Sequence, residues 1–158
     1  MAQKITYDWS KFTLKIPIKK SPARVFKAWT DDKQVSNWFT VKTILEPKTN
    51  GRIYFEWLAG DKLETKFISV IKNKKIVFPF GSHKEKVEVK FLKDGKNCIC
   101  LLHQYDMKTS PKVKWNMHRG CITGWTFFLT NLKVYLENDI DLRSHDVKKS
   151  YKFGFINS

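Results

Sequence analysis

The stretch that most constrains the fold is MHRGCITGWTFFLTNLKVYLEN, from Met117 to Asn138. Wound at about 100° per residue, it places Cys121, Ile122, Trp125, Phe128, Leu129, Leu132, Tyr135 and Leu136 on one broad arc, with Arg119, Thr123, Thr126, Thr130 and Glu137 opposite. Such a helix has one side to bury, and nearly everything before it reads as strands. The arrangement predicted is a curved antiparallel sheet closing on this helix, with part of the apolar arc facing an interior space. Phe127 and Val134, seven residues apart, lie together on the otherwise polar back. They are expected to be covered, either by the Tyr151-Phe153-Phe155 tail or by a second copy of the chain. A homodimer through Phe127 and Val134, or through the tail, is therefore expected as one alternative.

Upstream, FTLKIPIK alternates, with Phe12, Leu14, Ile16 and Ile18 on one face and Pro17 suited to an edge strand. Ser21-Pro22 is a cap followed by proline at the first helical position, which predicts a short helix from Pro22 to about Thr30 that buries Val25, Phe26 and Trp29. Asp31 or Asp32 caps a second short helix carrying Val35, Trp38 and Phe39. From Val41 onward strands follow one another through recognisable turns: Pro47 to Gly51, Ala59-Gly60-Asp61, Lys72-Asn73, and the Asp94-Gly95 hairpin between EKVEVKF and NCICLLHQY. Ser110-Pro111 marks the approach to the long helix. The prediction is an α+β fold of about seven antiparallel strands, with two short helices after the first strand and the long helix after the last. The core spans about residues 10–138 of one domain, and 139–158 form a C-terminal tail.

The chain carries 30 basic and 15 acidic residues, a formal charge of +15. Such an excess invites a nucleic-acid reading. Yet only Arg24, Arg52, Arg119 and Arg143 are arginines, the remaining 26 basic residues being lysines, whereas phosphate and base recognition favours the bidentate guanidinium. The excess is also spread along the chain, so no specific nucleic-acid partner is expected. Cys98, Cys100 and Cys121 are an odd number of cysteines, and the first two stand two apart on a strand, roughly 7 Å between Cα atoms and poorly placed to bridge. Reduced thiols, an N-terminus without the apolar run of a signal peptide, and no stretch approaching about 18 apolar residues make the expected location cytoplasmic, with no membrane span.

The residues Ser21-Pro22-Ala23-Arg24-Val25-Phe26-Lys27-Ala28-Trp29-Thr30 with Trp38-Phe39, the Gly51-Arg52 strand start, Lys74-Lys75-Ile76-Val77-Phe78, and Gly124-Trp125 with Leu129, Leu132, Tyr135, Leu136 and Glu137 occur in this order. In that order the chain resembles the START-like (Bet v 1-like, SRPBCC) helix-grip superfamily, in the branch named for the activator of the 90-kDa heat-shock protein's ATPase. The resemblance covers about residues 10–138 and implies a sheet wrapped around the long helix, enclosing a cavity for a small hydrophobic or amphipathic molecule. It also implies two alternatives: a cyclase-like or hydrolytic enzyme acting on a polyketide-like or aromatic substrate, and a chaperone ATPase co-activator or other protein-interaction module.

On CICLLHQY, Ile99, Leu101, His103 and Tyr105 share a face that the resemblance puts inward. The expected cavity lining is Phe55, Trp57, His103, Tyr105, Trp125, Phe128 and Leu129, for a small apolar ligand, with no cofactor and no metal. Equally open is a position for His103 and Tyr105 near the rim, bonded to backbone or water. A zinc site at Cys98, Cys100 and His103 fails on alternation, since the cysteines and the histidine fall on opposite faces and zinc needs convergent ligands. Cys121, with His118 one turn before it, is expected to be an inert buried thiol. Glu56 alternates away from Phe55 and Trp57 and is expected to face solvent; a slip of one residue would instead make it the leading acid-base candidate.

Overall fold

A computed structural model describes residues 6–149 together with 152, 154 and 156. Strand β1 (Phe12–Ile18) leads into α1 (Pro22–Thr30) and α2 (Asp32–Ser36); β2 (Lys42–Leu45), β3 (Arg52–Glu56), β4 (Lys62–Lys66), β5 (Ser69–Ile71), β6 (Lys75–Phe80), β7 (Glu85–Asp94) and β8 (Asn97–Tyr105) follow, and α3 (Lys114–Asn138) closes the fold. All strand pairs are antiparallel. They form a five-stranded sheet in the order β1-β8-β7-β6-β5 and a three-stranded sheet β2-β3-β4. This is the helix-grip architecture that the sequence predicts. The expected strand KLETKFISVI divides at Phe67-Ile68 into β4 and β5 as the chain passes from one sheet to the other, so eight strands stand among the described residues where about seven are expected.

Local chemistry explains these boundaries. The Ser21 hydroxyl accepts the Arg24 N–H at 3.2 Å and opens α1, with Pro22 in its first turn. The Asp31 carboxylate accepts the Gln34 N–H at 3.1 Å and opens α2. Pro17 stands on β1, an edge of the larger sheet, where its missing N–H costs least. The β7–β8 hairpin turns at Gly95 and Lys96 with Asp94 opposite Asn97; Gly95 has φ 59°, the left-handed region that glycine enters without a Cβ clash. Helix α3 starts at Lys114, three residues after the expected Ser110-Pro111 cap, because Ser110 to Val113 form a preceding turn in which the Ser110 carbonyl accepts the Val113 and Lys114 N–H groups.

The core lies between the sheets, α1 and α3. It contains Val25, Ala28, Trp29, Trp38, Phe39, Ile53, Phe78, Val87, Val89, Leu102, Trp125, Leu129, Leu132 and Leu136, all buried. Trp38 donates its indole N–H to the Ala28 carbonyl at 2.9 Å, joining the end of α1 to the segment after α2.

Beyond α3 the chain turns at Asp139, φ 56°, and folds back as a clamp. Arg143 donates to the carbonyls of Thr40 at 2.7 Å and Ser36 at 2.9 Å, while its guanidinium also grips the Asp141 carboxylate at 2.9–3.1 Å. Buried Asn131 on α3 donates to the Trp38 carbonyl and to Asp141, and accepts the Leu142 N–H at 2.7 Å. The first part of the tail is thus tied to α2, to the segment that follows it and to α3. The expected Tyr151-Phe153-Phe155 cover lies outside the described residues, but Ile156 is described and, though largely exposed, lines an apolar trough with Ile122, Thr123, Thr126, Phe127 and Thr130 on the back of α3.

Candidate functional site

Where the three-stranded sheet, the end of β6 and the first half of α3 meet, the side chains do not fill the interior. A cavity of about 260 Å³ remains, lined by Phe39, Trp57, Asp61, Phe80, Cys121, Gly124, Trp125 and Phe128. Each wall follows from local structure. Phe39 leaves the end of α2; Trp57 continues the inward face of Ile53 and Phe55 on β3; Phe80 ends β6; the α3 residues Cys121, Gly124, Trp125 and Phe128 recur at the three-to-four spacing of one helix face. Gly124 shapes the space most directly, since a Cβ placed there would meet nothing within 4 Å.

The rings pack on one another around this space. Phe39 lies 4.8 Å from Phe128, 5.2 Å from Trp125 and 5.3 Å from Trp57, centroid to centroid, and Phe80 lies 4.9 Å from Trp125. Aromatic pairs at these separations stabilise one another beyond the area they bury. The rings of the wall therefore brace one another.

Behind the wall, Gln104 on β8 is fully buried, accepts the Trp125 indole N–H at 2.9 Å, and donates to the Cys121 thiol at 3.5 Å. Burial raises the Cys121 thiol pKa, which the Gln104 bond only partly offsets, so the group lining the cavity is a neutral thiol. His118 does not act on it: its Nε2 lies 3.2 Å from the Lys11 carbonyl oxygen and 3.1 Å from the Tyr7 hydroxyl. Glu85, only 2% exposed, occupies the inward face of β7 and accepts the His83 N–H at 3.3 Å.

Of the seven residues expected to line the cavity, Trp57, Trp125 and Phe128 do so. Phe55 and Leu129 are buried in the core, with Phe55 behind the wall at 5.4 Å from Phe39 and 5.9 Å from Trp57. His103 and Tyr105 are corrections. They stack on each other at 5.2 Å on the outer face of β8, where His103 Nδ1 shares a hydrogen bond with the Thr13 hydroxyl at 2.9 Å. The inward face carries Cys98, Cys100, Leu102 and Gln104 instead. Both faces of β8 are apolar at Ile99 to Leu102, so alternation within that strand could not choose between them. Glu56 faces outward beside Tyr54, whose hydroxyl donates to it at 2.6 Å and lowers the Glu56 pKa. Phe39, Phe80 and Gly124 were not among the expected lining residues: Phe39 lies in the turn after α2, which stops at Ser36 short of the expected Trp38 and Phe39, Phe80 ends β6, and Gly124 carries no side chain to read.

Comparison with known proteins follows the same lines. The family model described as Activator of Hsp90 ATPase homolog 1-like protein matches residues 19–137. No curated protein sequence matches the chain. Among solved structures, protein SSP2350 from Staphylococcus saprophyticus is similar with a TM-score of 0.75 at 21% identity, over 85% of this chain and 96% of that one. The Aha1 dimer from Colwellia psychrerythraea follows with TM-score 0.71 at 19% identity, over 81% and 96%. PFC0360w, an Hsp90 activator from Plasmodium falciparum, has TM-score 0.66 at 21% identity, over 80% and 96%. At these identities the likeness concerns the fold.

Proposed function

The chain belongs to the Activator of Hsp90 ATPase homolog 1-like family, and from that premise we propose that it binds a small, largely apolar molecule in the cavity between α3 and the sheets without transforming it. The observation that carries this reading is the open space itself, about 260 Å³ walled by five aromatic side chains where the packed core meets solvent. Pockets for drug-sized ligands usually measure about 300–1,000 Å³, so the molecule suited to this one is compact. The polar groups at the wall, a neutral Cys121 thiol and the exposed Asp61, suit orientation rather than bond-making.

Native mass spectra of freshly purified protein, followed by Trp fluorescence titrations with compact aromatic and aliphatic molecules, test the proposal. Saturable quenching by at least one compact class is expected, since Trp57 and Trp125 form part of the wall. No co-purifying mass and no saturation across the panel would reject it. The family supplies a second reading, contact with an Hsp90-type ATPase. It predicts stimulated ATP hydrolysis on mixing, unaffected by filling the cavity.

A further inference from the structure

Resting on that reading of the cavity, we propose that the molecule it takes carries an alkylated ammonium group. Phe39, Trp57, Phe80, Trp125 and Phe128 surround the space, and Asp61 stands at its rim on the turn after β3. Aromatic rings present the negative face of their quadrupole to a cation, and walls of Trp and Phe are the recurring means of holding quaternary ammonium groups. A fully alkylated nitrogen has no N–H to satisfy. That matters because the described wall offers almost nothing to hydrogen-bond: a primary ammonium placed there would lose its water without replacement, whereas a trimethylated one keeps apolar methyl groups against the rings.

The charge pattern points the same way. The chain has a net charge of +15, yet among the described residues no Lys, Arg or His lines this cavity, and Asp61 is the one charged residue that does. Lysines elsewhere on the surface are screened beyond about 8 Å at physiological ionic strength, so the local sign is set by Asp61 and the rings.

The test uses the full chain and an isosteric pair, phenyltrimethylammonium and tert-butylbenzene, which differ by exchange of N⁺ for carbon. Affinities are read from Trp fluorescence. The ammonium compound is expected to bind at least about tenfold more tightly, with Asp61→Asn narrowing the ratio to about threefold and added salt narrowing it further. Equal affinity, or tighter binding of tert-butylbenzene, would overturn the cation preference and leave the apolar cavity standing. Saturation by neither compound would remove the cavity reading for compact ligands, and this inference with it. The Trp57→Leu variant separates the two contributions, since a ring acting through its quadrupole lowers ammonium affinity more than affinity for the neutral compound. An equal loss for both would contradict the proposal.

Discussion

Gln104 holds together two residues that shape the cavity, accepting the Trp125 indole N–H and donating to the Cys121 thiol. Replacing it by leucine keeps volume but leaves a buried indole N–H without an acceptor, which should cost about 1–3 kcal/mol in urea unfolding; no loss would mean that Trp125 finds another partner. Asp141 makes a pH-dependent contribution. Burial raises its pKa, but the hydrogen bonds from Arg143 and Asn131 outweigh this and lower it from 3.8 to about 2. Because the folded value is depressed, the stabilisation is present above the unfolded value and is lost as pH falls from about 4 toward 2. Allowing for solvent screening of a partly exposed carboxylate, about 1–2 kcal/mol of the stability gap between wild type and Asp141→Asn should close over that interval. A gap constant with pH would show that the ion pair is not its source. His103→Ala and Tyr105→Ala should change ligand affinity by less than about twofold, since both residues face away from the cavity; a larger loss in titration would restore them to it.

At the scale of elements, α3 carries two interior glycines, Gly120 and Gly124, and a Cβ at either would meet nothing within 4 Å. Alanine at each should stabilise the fold by about 0.5–1 kcal/mol through helix propensity, and only Gly124→Ala should weaken ligand binding. The segment after α3 makes a separate contribution. Truncation after Asn138 removes Asp141 and Arg143 and should cost about 2–4 kcal/mol, whereas truncation after Lys149 keeps the clamp and should cost less than half of that. Equal losses in thermal or urea unfolding would place the stability in the last nine residues instead.

Elements were also the level at which the sequence was most legible. Ser21-Pro22 and Asp31 fix α1 and α2 through side-chain caps that need only local information. The face of β8 is a pairing property. A two-residue turn at Asp94-Gly95 or at Gly95-Lys96 sets odd positions of β7 opposite even positions of β8, as in Val87 with Gln104 and Val89 with Leu102. Once Val87, Val89 and Phe91 point inward, Gln104 must as well, and His103 must point out. Glu85 extends the same inward series, and a glutamate in phase with three apolar residues is the sign that would have marked it. The clamp was not legible, because Arg143 meets Ser36 and Thr40, and Asn131 meets Trp38, about 100 residues away.

For the whole molecule, the fold explains why a chain with 26 lysines can keep a cleft that none of its described lysines lines: the inward faces of both sheets and α3 supply aromatic rings there instead. Among the described residues no helix is long and apolar enough to cross a membrane. A second copy against Phe127 remains the proposal that sedimentation at rising concentration would test. The central claim is that the space beside Gly124 receives a ligand. Isothermal titration of wild type and Gly124→Leu with the tightest compact ligand found addresses it most directly, with unfolding measured in parallel. The account predicts that leucine fills the space, keeps or raises stability, and weakens binding at least about tenfold. Undiminished affinity in a folded Gly124→Leu protein would contradict it.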